Sequence, residues 1–386
     1  MSQRIHQSKE QPDIMYKMSM FSHVIGNQLF HDINSEEYIL LPHQNSLFDQ
    51  LFNLTGPKND FYSICSKPED LKLIQKLFDD RVIVPTGEDE TGHYYPFLVD
   101  IETNRHCNAQ CLYCPQSESR KKKGVMSQDI FNNIIHQIKP YDIEWVAFTH
   151  YNEPLLDPFF TERVIQLREN NLKLYFTTNA TLLSPQVIDL LEPNDLVGVI
   201  FNLPSMEPEE WSYFMQLPTH LFEHTVHQME MFIQKFSDKI ELLSIFINGT
   251  TKNQDPRRQN IDEHFSQFGN VEVVNQNSHN RAGSISNKYI NSYSHVNQDR
   301  FCGCERIAGH LHISWEGKCF LCCQDYYQSI ILGDLQKNSI KDIMSSNEVK
   351  KLRGEIYGVY PMRQNLPCRQ CVQLRKKRNV VSPIPY

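Results

Sequence analysis

The chain has 386 residues, 40% of them apolar and 22% charged, with a formal net charge of −8. At about 150 residues per domain this is two to three domains, with enough apolar content to fill a sizeable core. Collagen-like, low-complexity and small disulfide-knotted chains are excluded. The acidic balance argues against a chain that coats nucleic acid, which needs a basic face.

Residues 1–18 are polar and are expected to be frayed. The opening MSQRIHQSKEQPDIMYK has no apolar run of the secretory kind, and no stretch of 18 apolar residues follows. These features predict a cytoplasmic chain with no membrane partner and with reduced thiols. From 20 to 95 the pattern is that of a small α+β module. Ser22–His31 and Glu37–Pro42 read as strands, joined at Asp32–Ser35. Gln44–Leu54 has helical apolar spacing through Leu47, Leu51 and Leu54, and Lys67–Asp79 opens with Pro68 and an acidic first turn. Arg81–Pro85 reads as a short strand, so the module is winged-helix-like.

Regular alternation follows. The spacing predicts strands at Phe97–Glu102, Trp145–Thr149, Leu172–Thr178, Leu196–Asn202, Ile240–Asn248 and Val271–Asn275. Between them it predicts helices at Ser127–Ile138, Phe159–Asn170, Ser184–Leu191, Leu221–Phe236 and Gln259–Phe268. Asp157–Pro158 and Ser184–Pro185 are cap-plus-proline starts. Six such βα units imply parallel pairing in a partial (β/α)6 barrel or an open α/β sheet, with the active site at the carboxyl ends of the strands. Beyond Asn275 the chain is Asn/Ser-rich as far as Asn297, and a cysteine-dense tail closes it. No internal repeat is visible beyond the βα period.

The eleven cysteines group at 107–114, 302–323 and 368–371, with Cys65 alone, which reads as a small buried apolar residue. Grouping of this kind in a reduced chain points to metal or catalysis. Cys107-Asn108-Ala109-Gln110-Cys111-Leu112-Tyr113-Cys114 lies just past the first strand of the array. Three thiolates there can converge on a soft metal centre. On a four-iron cluster, three protein ligands leave one iron open. The alternative is zinc, with His106 as fourth ligand.

Cys-x3-Cys-x2-Cys after the first strand of a βα array, with Tyr113 before its last cysteine, resembles the radical S-adenosylmethionine (radical SAM) superfamily. The resemblance implies three units. Residues 1–95 form the N-terminal module, 96–277 a TIM-like partial-barrel core, and 278–386 a tail. It also implies a [4Fe–4S] cluster on Cys107, Cys111 and Cys114 whose open iron binds SAM. The reduced cluster would split SAM to a 5′-deoxyadenosyl radical that abstracts hydrogen from a substrate, with an electron donor such as flavodoxin or ferredoxin as partner.

Other residues fit the resemblance. Tyr151-Asn152-Glu153-Pro154 stands where the family has Gly-Gly-Glu-Pro; Glu153 carries over as the acceptor for the methionyl amino group, whereas both glycines are missing. The alternative for Glu153 is a helix cap. Thr177-Thr178-Asn179 matches a Thr-Asn that faces SAM, Asn202 stands where a polar side chain meets the ribose, and Tyr113 matches the aromatic near the adenine. Turn and core roles are the alternatives for Asn202 and Tyr113.

In the tail, Cys304, Gly317 and Cys322 are followed by Cys368-Arg369-Gln370-Cys371, giving four thiolates that suffice for a fully ligated iron–sulfur site. Ile313–Cys319 reads as a hairpin turning at Glu316-Gly317. The arrangement resembles the twitch form of the SPASM extension and implies one auxiliary [4Fe–4S] cluster, since no cysteine follows Cys371. Cys302, Cys319 and Cys323 are left over, and Cys319 can replace Cys322; a zinc ribbon is the alternative for the whole tail.

Residues 20–95 weakly resemble the PqqD-like element with which peptide maturases hold a leader peptide. That implies oxidative modification of a ribosomally made peptide. An N-terminal cap, a small-molecule (sugar or aminocyclitol) dehydrogenase and a zinc- or cluster-binding regulator are the competing readings. The basic runs Arg120–Lys123 and Arg375–Arg378 read as solvated, and Asn280-Arg281-Ala282-Gly283 takes no assigned role. No H-E-x-x-H, G-x-S-x-G, P-loop or dinucleotide fingerprint occurs.

Overall fold

The computed structural model describes residues 14–25, 27–33, 36–88, 90, 96–117, 122–250, 255–278, 280–287 and 303–371. The N-terminal part runs β1 (Met15–Met18), β2 (Ser22–Ile25), β3 (Gln28–His31), β4 (Glu36–Ile39), α1 (Gln44–Leu51), β5 (Gly56–Pro57), α2 (Lys58–Ser63), α3 (Pro68–Asp79) and β6 (Ile83–Pro85). It differs from the expected pattern in adding β1, β5 and α2 and in splitting the first strand. Met15–Met18 is a strand and not a frayed end: it pairs antiparallel with both β5 and β6. The segment read as one strand, Ser22–His31, folds back on itself, Ile25 pairing with Gln28 across the sequence Gly-Asn, a hairpin dipeptide. β3 then pairs with β4, giving a three-stranded antiparallel sheet.

Beyond residue 96 the strands are β7 (Leu98–Ile101), β8 (Trp145–Phe148), β9 (Leu174–Thr178), β10 (Leu196–Asn202), β11 (Leu242–Thr250) and β12 (Glu272–Asn277). The helices are α4 (Gln128–Ile138), α5 (Phe160–Glu169), α6 (Pro185–Leu190), α7 (Pro208–Met215), α8 (Phe222–Phe236) and α9 (Pro256–Phe265). The six strands lie side by side in chain order, every pair parallel. α7 is an element the sequence reading lacks, although Pro208 with Glu209 and Glu210 is a helix-start signal. Ser184 caps α6 through the Val187 N–H, whereas α5 opens at Phe160, with Asp157 accepting from the Phe159 N–H.

In the tail follow α10 (Glu305–Gly309), β13 (His310–Ile313), β14 (Lys318–Phe320), β15 (Ile331–Asp334), α11 (Ile340–Met344) and α12 (Asn347–Ile356). β13 pairs parallel with β7, and β14 and β15 continue antiparallel, so nine strands form one sheet. The β13–β14 turn is the expected one, Gly317 taking the positive φ of 79° that a side chain resists.

Strand alternation sorts the sheet into two faces. Val99, Ile101, Val146, Phe148, Leu174, Phe176, Val199, Phe201, Ile245 and Ile247 join the helix residues Phe131, Val164, Leu167, Met229 and Phe232 in one buried apolar cluster. The residues between them carry the polar groups: Asp100, Thr149, Tyr175, Asn202, Ser244, Asn248 and His312. A buried pair, Arg163 Nε to Asp157 Oδ2 at 2.9 Å, holds the start of α5 against the chain after the cysteine loop, where Arg163 also donates to Met126 O. The N-terminal hairpin leans on the tail: Phe21 meets Tyr357 edge-on at 4.7 Å, and the Tyr357 hydroxyl donates to Asp32 at 2.6 Å.

Candidate active site

The loop from β7 to α4 carries Cys107, Cys111 and Cys114. Its backbone is fastened from three sides. Glu153 N–H donates to His106 O at 2.8 Å, Gln110 and Leu112 N–H donate to Met215 O and Phe214 O at the end of α7, and Asn108 Nδ2 donates to Thr181. The unforeseen helix α7 is therefore part of the site. Met215 Sδ lies 3.6 Å from Cys111 Sγ and accepts from the Tyr113 hydroxyl at 3.1 Å. Tyr113 and Asn202, noticed separately in the sequence, touch: the phenol and the amide exchange hydrogen bonds at 2.9 and 3.0 Å, and Asn248 holds the amide oxygen at 2.9 Å.

Burial pushes the Cys107 thiol up to about 12 and those of Cys111 and Cys114 upward, and Cys107 and Cys114 both raise Cys111 further, which marks three mutually close sulfurs. Such thiols are a poor resting state but suitable ligands, because metal binding takes their protons. Sulfurs sharing one zinc ion stand about 3.8 Å apart. Among the described residues, one set of three or more His, Cys, Asp or Glu has all its ligand atoms within 4.8 Å of one another, and it is Asp100, His150 and His312. Cys107, Cys111 and Cys114 are not such a set.

Glu153 takes the capping role that was the alternative read from the sequence, and it also ties two strand ends together. It caps a 3-10 turn, Pro154–Leu156, through the Leu155 N–H, and it reaches the end of β9, accepting from Thr178 Oγ1 at 2.7 Å and the Asn179 N–H at 2.8 Å. Asn179 Nδ2 in turn donates to Asn108 Oδ1 in the cysteine loop. Burial raises the Glu153 carboxyl to about 7. A carboxylate there is a good acceptor for an amine, and its protonated form is a poor one. SAM affinity should therefore fall roughly tenfold between about pH 7.5 and pH 6 in the unaltered protein and stay level over that range in Glu153→Gln. Equilibrium binding at the two pH values checks this.

The four tail cysteines meet. Cys304, Cys322, Cys368 and Cys371 line one small cavity, together with Ala282, Arg306 and Asp325. Cys319 is elsewhere: fully buried on β14, it belongs to the main apolar core, whereas Cys322 belongs to the tail's own core. Cys323 is not among that cavity's lining residues; its sulfur accepts from Arg306 Nε at 3.2 Å and its carbonyl from the Tyr151 hydroxyl at 2.7 Å. The thiols Cys323, Cys304 and Cys322 push the Arg306 guanidinium well above its ordinary value. Cys302 lies outside the described residues, as do Arg120 and Arg375–Arg378; Lys122 is engaged with Glu316 and the Trp315 ring.

The segment that took no role in the sequence, Asn280–Gly283, lies between the two cysteine sets. Arg281 lowers the Cys114 thiol and acts on Tyr151, while Ala282 lines the tail cavity. Arg281, Ala282 and Gly283 have φ of 47°, 50° and 85°, and a Cβ at Gly283 would meet Gln370 at 1.9 Å. The turn's two non-glycine residues hid it from a reading that looks to glycine for left-handed backbone.

A parallel sheet with thiols gathered at its carboxyl end, and a second thiol cavity in its tail, defines an iron–sulfur protein. Comparison narrows the class. Residues 101–261 match the radical SAM superfamily and residues 302–372 match SPASM, an iron-sulfur cluster-binding domain. The chain thus carries a radical SAM domain over residues 101–261 and a SPASM domain over residues 302–372, and the cofactors these domains imply are a SAM-binding [4Fe–4S] cluster, SAM and auxiliary iron–sulfur.

Two curated relatives align locally. The S-adenosyl-L-methionine-dependent 2-deoxy-scyllo-inosamine dehydrogenase of Niallia circulans is 34% identical over 61 residues, 15% of this chain and 24% of that protein. Mycofactocin maturase MftC of Mycobacterium tuberculosis is 26% identical over 120 residues, 31% of this chain and 30% of that protein. The aligned part thus spans about a quarter to a third of these relatives. Streptococcus suis SuiB, solved bound to precursor peptide SuiA, superposes with a TM-score of 0.47 at 13% identity, covering 87% of this chain and 90% of that one.

Proposed function

We propose that this enzyme oxidatively modifies a ribosomally made peptide, with 1–95 as the peptide-holding module, 96–277 as the catalytic partial barrel and 278–386 as the auxiliary-cluster domain. Cys107, Cys111 and Cys114 hold the SAM cluster in this reading. Cys304, Cys322, Cys368 and Cys371 hold one auxiliary cluster, which would accept the electron that the substrate radical loses on becoming the two-electron-oxidised product. The cluster and SAM supply reductive C–S cleavage and hydrogen-atom abstraction. The chain's own residues do the positioning. Glu153 accepts from the SAM amino group. Asn179 joins β9 to the cysteine loop beside it. Tyr113 and Asn202, locked to each other and to Met215, hold one wall against the adenosine.

The peptide reading is carried by β4. Among the described residues β4 pairs with β3 alone, and Ile39 on it is 73% exposed, with Leu41 just beyond at 43%. An open strand with apolar side chains beside it suits an added peptide strand, whose main chain supplies affinity and whose alternate side chains supply selection. The printed name of the mycofactocin maturase supports the same class. Synthetic peptides encoded by short reading frames beside the gene should bind the full chain. Ile39→Lys should weaken that binding at least tenfold while leaving SAM cleavage unchanged. If no such peptide binds and an aminocyclitol is oxidised, the second reading, a small-molecule dehydrogenase, replaces it; the 34% identical segment favours that reading.

A further inference from the structure

The inner face of the sheet carries a group that neither cysteine set explains. Asp100 sits one residue before the end of β7, His312 one residue before the end of β13, and His150 two residues beyond β8. Asp100 and His312 are register partners across the parallel β7–β13 pair, so their side chains leave the sheet on the same face. Asp100 Oδ2 lies 2.9 Å from His312 Nδ1. All three residues place a ligand atom within 4.8 Å of the others. Two ligands about 2.1 Å from one ion stand roughly 3 Å apart or a little more, which is the spacing of the Asp100–His312 pair.

Burial and orphaned donors make the group unusual. His312 is 1% exposed and its Nε2 has no hydrogen-bond partner. Neither ring nitrogen of His150 has one either, apart from an approach to the Asp100 main chain. Buried polar atoms are nearly always satisfied, so orphaned nitrogens on two neighbouring imidazoles call for a missing partner. Thr149 Oγ1 donates to Asp100 Oδ1 at 2.9 Å, orienting the carboxylate whose Oδ2 meets His312 Nδ1, as outer hydrogen bonds do around metal ligands. His150 also has φ of 102°, a costly conformation for a residue with a side chain.

We propose that Asp100, His150 and His312 form a binding site for one divalent first-row transition ion, zinc or iron(II), inside the sheet and separate from both cysteine sets. Two imidazoles and a carboxylate suit these ions, and three protein ligands leave positions open. An oxygen or nitrogen of the substrate fits there, held by a Lewis acid while hydrogen is removed elsewhere on it.

The test uses the full chain with its clusters assembled, exposed anaerobically to zinc or to iron(II) and then freed of loose metal. About one zinc per chain, or one high-spin ferrous signal outside the clusters, should remain. Either should be lost in His150→Ala and in His312→Ala, with the cluster iron retained. Metal-edge absorption of the zinc-loaded unaltered protein should show imidazole and oxygen neighbours and no sulfur, a readout that needs no variant. Retention of neither ion, a sulfur neighbour, or undiminished retention in the folded variants overturns the site.

Discussion

Replacing Cys107, Cys111 and Cys114 with alanine should leave about four irons per chain where the unaltered protein holds about eight, and should abolish 5′-deoxyadenosine formation from SAM. The loss should be complete because no other described thiol can substitute: Cys319 is sealed in the main core, Cys65 packs against the N-terminal core, and Cys304, Cys322, Cys368 and Cys371 line the tail cavity. The loop itself should keep its shape. Its backbone bonds to Met215, Phe214 and Glu153 and the Asn108–Thr181 bond do not involve sulfur. An unchanged far-ultraviolet spectrum beside lost activity would assign the effect to ligation. SAM cleavage that persists in the triple variant would remove these three cysteines from the mechanism.

The second large effect concerns the tail. Replacing Cys304, Cys322, Cys368 and Cys371 with alanine should also lower iron to about four, yet leave reductive SAM cleavage running while oxidised product falls below detection. The separation follows from position. The tail thiols belong to an apolar core of their own with Leu321, Leu352 and Ile356, apart from the Glu153–Asn179–Asn108 linkage. Iron content, 5′-deoxyadenosine and product measured on one preparation check it. Product formed at the ordinary rate would deny the auxiliary site a part in the oxidation.

The βα alternation was the most legible part of the sequence. A strand such as Leu196–Asn202 is a buried parallel run, and Ser184-Pro185 starts a helix by local chemistry, so each declares itself without its neighbours. The cysteine loop was legible for a similar reason, three ligands within eight residues. What stayed hidden depends on contacts distant in the chain. His312 meets Asp100 only because β13 joins β7, a pairing between residues more than 200 apart. Met215 reaches Cys111 only because α7 packs its end on the loop. The apolar/polar alternation of His310-Leu311-His312-Ile313 was a signal for an inward-facing histidine, but alternation names a face and not what stands across it. In the N-terminal module the Gly-Asn dipeptide before Gln28 was readable and splits the long strand; Met15–Met18 was not, since a four-residue strand takes its stability from β5 and β6.

The most direct measurement of the central claim is Mössbauer spectroscopy of the oxygen-protected protein with and without SAM. The account predicts that SAM changes the signal of a single iron in one [4Fe–4S] cluster, and that Cys111→Ala removes both that cluster and the change. Sulfur-bound zinc at Cys107, Cys111 and Cys114, with no iron signal that responds to SAM, would contradict it.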